Sequence, residues 1–310
     1  MRNIIFLVTV LYFGISGYSQ NSEDLFILSD AIKIHGTLLT PDIADKIPVA
    51  IIIAGSGPTD RDGNNMGYVN NSLKLLAEAF AENGVASLRY DKRGIAASAA
   101  NDIHESDTRF DDFVKDAEGW VDLLSQDKRF NEVVVIGHSE GSLIGMLCAQ
   151  NGNVAKYVSI AGLGRPSEKV LLEQIKTSSP FFTVPAANIL DSLSNGYTVT
   201  SLLPALESLF RPSVQPYLIS WFKYDPAVEI TKLDIPILLI QGTNDLQVPV
   251  SDAEILAKAY PKAKLVIIEN MNHVFRESPA DRNENIKTYS NPDLPLIEGF
   301  ATAIAEFILE

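Results

Sequence analysis

Two periods of hydrophobicity take turns along the chain. Runs of β-branched and other apolar residues, four to eight long, read as strands: Leu25–Leu28, Ile32–Leu39, Pro48–Ala54, Val85–Tyr90, Val133–Ile136, Tyr157–Ala161, Ile235–Gln241 and Leu265–Glu269. Between them, apolar residues three and four apart predict helices. One runs from about Ser72 to Glu82, with Leu73, Leu76 and Phe80 on its stripe and Gly84 as its stop. Another spans Phe110 to Leu124, one follows Ser139, and two more lie near 252–259 and 296–309. Strand–helix alternation of this kind predicts an α/β fold with a mostly parallel sheet covered on both faces. The alternation stops at Arg165 and resumes near residue 230. Helical segments near 167–176, 185–194 and 214–223, punctuated by Pro180, Pro185, Pro204 and Pro212, predict a helical insertion over 165–229. That divides the chain into 20–164 and 230–310 as two parts of one core, with the insertion between them.

The strand at Val133–Ile136 runs into Gly137-His138-Ser139-Glu140-Gly141, after which Leu143, Ile144, Leu147 and Cys148 begin a helix. The letters G-x-S-x-G are weak alone. Between a buried strand and a helix they describe a sharp elbow whose glycines leave no room for a Cβ, and which lifts Ser139 Oγ clear of the backbone. A serine hydroxyl needs a positioned base to act as a nucleophile. The chain has four histidines. His35 lies mid-strand, His104 in a polar loop, and His138 in the elbow itself, where packing or capping is the simplest role. His273 follows the last strand on a turn, where a base can swing over Ser139. Asp245, after the Ile235–Gln241 strand and 28 residues before His273, is the carboxylate placed to orient it. Asp225, Asp234 and Asp252 are rivals that do not directly follow a strand. Two backbone donors for an oxyanion are expected at Glu140 N–H and in the Gly55-Ser56-Gly57 loop, at Ser56 N–H with Gly57 as the neighbouring alternative.

Composition narrows the partners. A formal charge of −14 over 310 residues argues against a nucleic acid, because little would replace its counterions. Residues 1–19 have Arg2, an apolar stretch from Ile4 to Ile15 and small residues before Gln20. They read as a secretory signal peptide, with an uncleaved anchor as the rival. The expected protein is therefore exported, periplasmic or secreted. Cys148, the one cysteine, cannot form an internal disulfide and reads as a small core residue.

Ser139, Asp245 and His273 in that order, behind a Gly-rich loop, resemble the α/β-hydrolase superfamily. More narrowly, Ala54-Gly55-Ser56-Gly57-Pro58-Thr59-Asp60-Arg61-Asp62-Gly63-Asn64, Arg89-Tyr90-Asp91-Lys92-Arg93-Gly94 and the elbow look like bacterial carboxylesterases of the EstD type. Ser142 departs from the glycine common there. The resemblance implies an α/β-hydrolase fold with a helical cap, a Ser139/His273/Asp245 triad acting on short acyl esters, and no cofactor or metal. A peptidase, amidase or acyltransferase on the same triad remains open, as does a hydrolase-like binding protein. Asp60-Arg61-Asp62 and Asp91-Lys92-Arg93 are expected to pair and steady the oxyanion loop. Gly57, Phe181, Phe182, Trp221 and Phe222 are candidates to line the substrate pocket, the aromatics having the insertion's own core as their alternative role.

Overall fold

The computed structural model describes residues 20–310, so the signal-peptide reading of 1–19 lies outside the described residues. Eight strands form one sheet in the order β1-β2-β4-β3-β5-β6-β7-β8. They are β1 (Gln20–Ser29), β2 (Ile32–Pro41), β3 (Ile47–Ile53), β4 (Ala86–Tyr90), β5 (Phe130–His138), β6 (Lys156–Ile160), β7 (Ile237–Gly242) and β8 (Lys264–Ile268). β1 and β2 form an antiparallel hairpin and β2 runs antiparallel to β4; every later pairing is parallel.

The parallel strands are apolar throughout because both of their faces are covered. Val49, Ile51 and Ile53 of β3, with Val133 and Val135 of β5, face one side, against α2 (Phe110–Ser125) and α3 (Glu140–Cys148). Ala50 and Ile52, with Val134 and Ile136, face the other, against α1 (Ser72–Glu82) and the C-terminal helix Phe300–Leu309. A period-2 alternation with both sets buried is what a doubly covered strand requires. Cys148 is a buried core residue, and burial pushes its thiol up, away from the reactive thiolate.

Between β6 and β7 the chain forms α4 (Ser167–Ser178), α5 (Thr183–Ser194), α6 (Glu207–Phe210), α7 (Gln215–Trp221) and α8 (Pro226–Glu229), and no strand. This segment has no separate core. Ala186, Ile189, Leu193, Phe210 and Leu218 belong to the same apolar cluster as Val133 and Phe113. Trp221 is 5% exposed and stacks on Phe110 of α2, with ring centroids 5.9 Å apart and planes 4° from parallel. The Ser220 hydroxyl accepts a hydrogen bond from the first amide of α2 at 2.8 Å. Two helices complete the second part of the core, α9 (Val250–Ala259) and α10 (Arg282–Thr288), before the C-terminal helix, α11. The pattern at 296–309 predicts an earlier start for α11, but Gly299, in the left-handed region at φ 79°, delays it to Phe300.

Because Trp221 joins α7 to α2, Trp221→Ala is expected to cost about 3–5 kcal/mol of stability through the cavity it leaves. Urea denaturation should show the midpoint fall without a change in slope.

Candidate active site

The chain after β3, β5, β7 and β8 emerges at the carboxyl ends of parallel strands, where sites form in open α/β sheets. Ser139 follows β5 directly. Its backbone is at φ 55°, ψ −119°, a conformation a serine adopts only under constraint. The constraint is close backbone packing. A Cβ on Gly137 would lie 2.1 Å from Gly141 O, and one on Gly141 would lie 2.4 Å from Ile53 O of β3. The start of α3 is thus pressed onto the β5 turn and the end of β3, and Ser139 is the residue left standing in the bend.

Asp245 and His273 meet as the sequence places them. Asp245 Oδ2 accepts a hydrogen bond from His273 Nδ1 at 2.8 Å. A carboxylate can only accept, so Nδ1 carries the proton, and in the neutral ring it is Nε2 that holds the lone pair. Asp245 Oδ1 accepts from the amides of Gln247 and Val248, and Oδ2 also from Gln241 Nε2 at 3.0 Å. Burial alone would raise the Asp245 carboxyl. The charge of His273, its hydrogen bond and those two amides outweigh it, holding the group below the usual carboxylate range. The loop carrying His273 is tied to α10: Asn272 Nδ2 donates to Asn285 Oδ1 and Thr288 Oγ1, and Asn285 Nδ2 donates to Asn244 O beside Asp245. Ser139, His273, Gly55 and Ser56 line one cavity of about 380 Å³. Among the described residues no hydrogen bond joins Ser139 Oγ to the His273 ring. Such bonds commonly tighten only around substrate.

His138 packs its ring 4.6 Å from that of His273 and edge-on to Phe275, and its Nε2–H donates to His273 O at 2.9 Å. It supports the His273 loop from below. His35 is half-buried in β2 and His104 is exposed in a loop. One ion pair, Arg61 with Asp91, joins the two charged triplets, and Asp62, Lys92 and Arg93 pair with residues outside them. Arg61 pairs with Asp91 at 2.8 Å, Arg89 with Asp62 at 2.8 Å, and Arg93 with Asp116 at 2.6 Å, while Asp60 Oδ1 accepts from the amides of Asp62 and Asn64. Arg61 spends its Nε and one N–H of each terminal nitrogen on Asp91 and Thr37, which fixes its guanidinium to the end of β4 and to β2 rather than to the cavity.

The pocket aromatics are a correction. Phe181 is 86% exposed and sits in an outer turn, packed edge-on against Phe182. Trp221 is spent on Phe110, and Phe222 packs against the core beside it. None of the four lines the Ser139 cavity. Trp221 and Phe222 turn into the packed core and Phe181 turns to solvent. Gly57, at φ 74°, lines a neighbouring cavity of about 320 Å³ with Lys92, Glu140 and Tyr217. The Ser139 cavity is walled instead by Tyr68, Leu73, Leu246, Ile286 and Tyr289, with Arg282 among the lining residues. Leu73 lies on α1, which is visible in the sequence, and Leu246 directly follows Asp245 in the loop after β7. Ile286 and Arg282 lie on α10, a seven-residue polar helix with no apolar stripe to reveal it, although Asp281 caps it by accepting from Asn283 and Glu284 amides.

Residues 67–278 match Hydrolase_4, described as serine aminopeptidase, S33. The chain belongs to the Hydrolase_4 family. It is 29% identical over 252 residues to Esterase EstD of Thermotoga maritima, covering 77% of this chain and 57% of that protein. The chain therefore spans a little over half the length of that curated relative. Among solved structures, Est1E from Butyrivibrio proteoclasticus with ferulic acid bound superposes with a TM-score of 0.61 at 20% identity, over 92% of this chain and 98% of that one. The Pyrococcus furiosus esterase Pf2001 gives 0.56 at 16% identity, over 99% and 98%. These structures establish the α/β-hydrolase fold for this Hydrolase_4 chain.

Burial, the neighbouring His273 charge and nearby Lys92 hold the His138 imidazole down to about 3, with burial the largest cause. The unfolded chain takes up that proton near pH 6.5, the folded chain only near pH 3. Stability from this residue is thus complete above about pH 6.5 and is lost on acidification at up to about 1.4 kcal/mol per pH unit. Melting temperatures from pH 7.5 to 4.5 should fall more steeply for the wild type than for His138→Gln, which keeps a donor and does not titrate.

Proposed function

We propose that the chain is an exported serine hydrolase that cleaves carboxylic esters of short to medium acyl chains. The observation that carries this reading is the Asp245–His273 hydrogen bond, behind the cavity that His273 and the strained Ser139 both line. Ser139 Oγ attacks the carbonyl carbon as His273 Nε2 takes its proton. Asp245 holds the tautomer and stabilises the imidazolium. The carbonyl oxygen becomes an oxyanion between Ser56 N–H and Glu140 N–H. Glu140 opens α3, so its amide lacks an intrahelical partner and lies at the positive end of the helix dipole. The tetrahedral adduct collapses, His273 returns the proton to the departing alkoxide, and water then releases the acid by the same steps. No cofactor enters. The expected partner is a small ester, and the acidic chain remains a poor match for nucleic acid.

Peptide cleavage is the second reading, and the family's description favours it. An aminopeptidase must hold the substrate's ammonium. Among the described residues, the lining of the Ser139 cavity contains no Asp or Glu, and its one Arg, Arg282, repels a cation. Esters with a neutral or anionic end fit that lining better.

Ser139→Ala should abolish fluorophosphonate labelling and reduce p-nitrophenyl ester hydrolysis by several orders of magnitude with the fold intact. Near wild-type turnover in that variant would sink the mechanism. Substrate size should follow the cavity walls: Ile286→Trp is expected to shift preference toward acetate, with misfit worth about 1–3 kcal/mol per methylene, whereas Phe181→Ala should leave the chain-length profile unchanged. For export, Edman sequencing of protein recovered from the native cell envelope should start near Gln20. A start at residue 1 would mean that the leader is retained.

A further inference from the structure

Lys92 follows β4, which lies beside β3 in the sheet, and its side chain runs beneath the loop that follows β3. It is 2% exposed. Its ammonium donates to Gly55 O at 2.6 Å and to Glu140 Oε2 at 2.7 Å, and rests 5.1 Å from the centre of the Phe113 ring. Glu140, 3% exposed, receives a second hydrogen bond on Oε1 from the Tyr217 hydroxyl of the insertion.

We infer that Lys92 is a positioning residue for the oxyanion hole, one ammonium that fixes both backbone donors; this rests on the ester-hydrolase reading above. Gly55 C=O and Ser56 N–H belong to one peptide plane. No cis peptide bond occurs among the described residues, so the two bonds point in opposite directions. Drawing the carbonyl down to Lys92 turns Ser56 N–H up, away from Lys92 and toward the cavity. The cavities agree with this orientation. Gly55 and Ser56 line the space shared with Ser139, whereas Lys92 lines the neighbouring one. The second donor is fixed from the side chain of its own residue, because the Glu140 carboxylate is clamped between Lys92 and Tyr217 at the first turn of α3. A buried ion pair gives little net stability, since desolvation offsets the attraction. What it supplies here is direction. A charge-assisted bond to a carbonyl also polarises the N–H of the same amide, strengthening it as a donor.

The test uses Lys92→Met, which keeps length and removes the ammonium, and Lys92→Met/Glu140→Gln, which leaves no buried carboxylate unpaired. Steady-state kinetics on p-nitrophenyl butyrate are read beside inhibition by phenylboronic acid, a tetrahedral mimic, and circular dichroism melts. The expected result is a folded protein whose kcat falls about 10–100-fold, short of the about 100–1,000-fold of outright loss of an oxyanion donor because the amides are misaimed and not removed. KM should stay within about 3-fold of wild type, and boronate affinity should weaken in proportion to kcat/KM. Folded variants that keep kcat, or that lose it with boronate affinity intact, overturn the inference. So does a double variant that cannot fold, since Lys92 is then a structural residue. Wild-type protein and Ser139→Ala are assayed in parallel. Wild type without Ser139-dependent turnover removes the ester-hydrolase reading and this inference with it, whereas Ser139-dependent turnover undiminished in the Lys92 variants removes the inference alone.

Discussion

Backbone pressed against backbone at the β5–α3 turn is the constraint from which the site follows. Gly137 and Gly141 let the first turn of α3 approach β5 and β3 to distances that no side chain would permit. That approach puts Ser139 at φ 55° and aims the unpaired amides at the start of α3 outward. The strain, of order 1–3 kcal/mol for such a residue, is held in place by what surrounds it. Ile53 and Ala54 on one side and Ile136 on the other are immobilised between two apolar layers. A looser sheet would let the elbow relax to an ordinary turn, and the serine would sink into the backbone.

Charges are distributed by the same logic of close packing. The loop after β3 must be rigid, yet it lies at the surface where apolar packing is thin. Arg61, Arg89 and Lys92 each reach a carboxylate at 2.8 Å or less, and each pair joins that loop, β4 or the chain after β4 to a neighbouring segment. Exposed ion pairs contribute little, but these are wholly or partly buried and convert a mobile Gly-rich loop into a fixed one. Asp60 does the same locally, its carboxylate accepting two amides of its own turn.

Much of this was legible in the sequence, and the limits have physical causes. Eight strands appear because each carries its own apolar run, and the order Ser139, Asp245, His273 is readable because each residue follows a strand at the same edge of the sheet. Lys92 was visible only as part of a charged triplet. Nothing in a sequence of alternating charges says which member turns inward. The aromatics of 165–229 misled because helical spacing reveals an apolar face without revealing what it meets: Trp221 meets Phe110, and Phe181 meets solvent. α10 escaped notice since its contribution is polar. Asn285 bonds to Asn272 and Asn244, joining the two loops that carry His273 and Asp245, and such a staple leaves no periodic trace.

The paired histidines show how burial can serve proton transfer. In the proposed mechanism His273 accepts a proton as the ester is attacked, and a second imidazole lies with its ring 4.6 Å away. Were His138 charged, the two cations would repel by roughly 3–4 kcal/mol at an effective dielectric constant near 20. Such a penalty would fall on the transition state and slow the reaction by two to three orders of magnitude, on the usual scale of about 1.4 kcal/mol per tenfold. Burial prevents it. With the His138 imidazole held down to about 3, it stays neutral at any pH where His273 works, and its Nε2–H still donates to His273 O. His138 thus steadies the proposed base through its hydrogen bond while adding no charge to the site, and among the described residues the carboxylate of Asp245 is the one charged group bonded to the His273 ring.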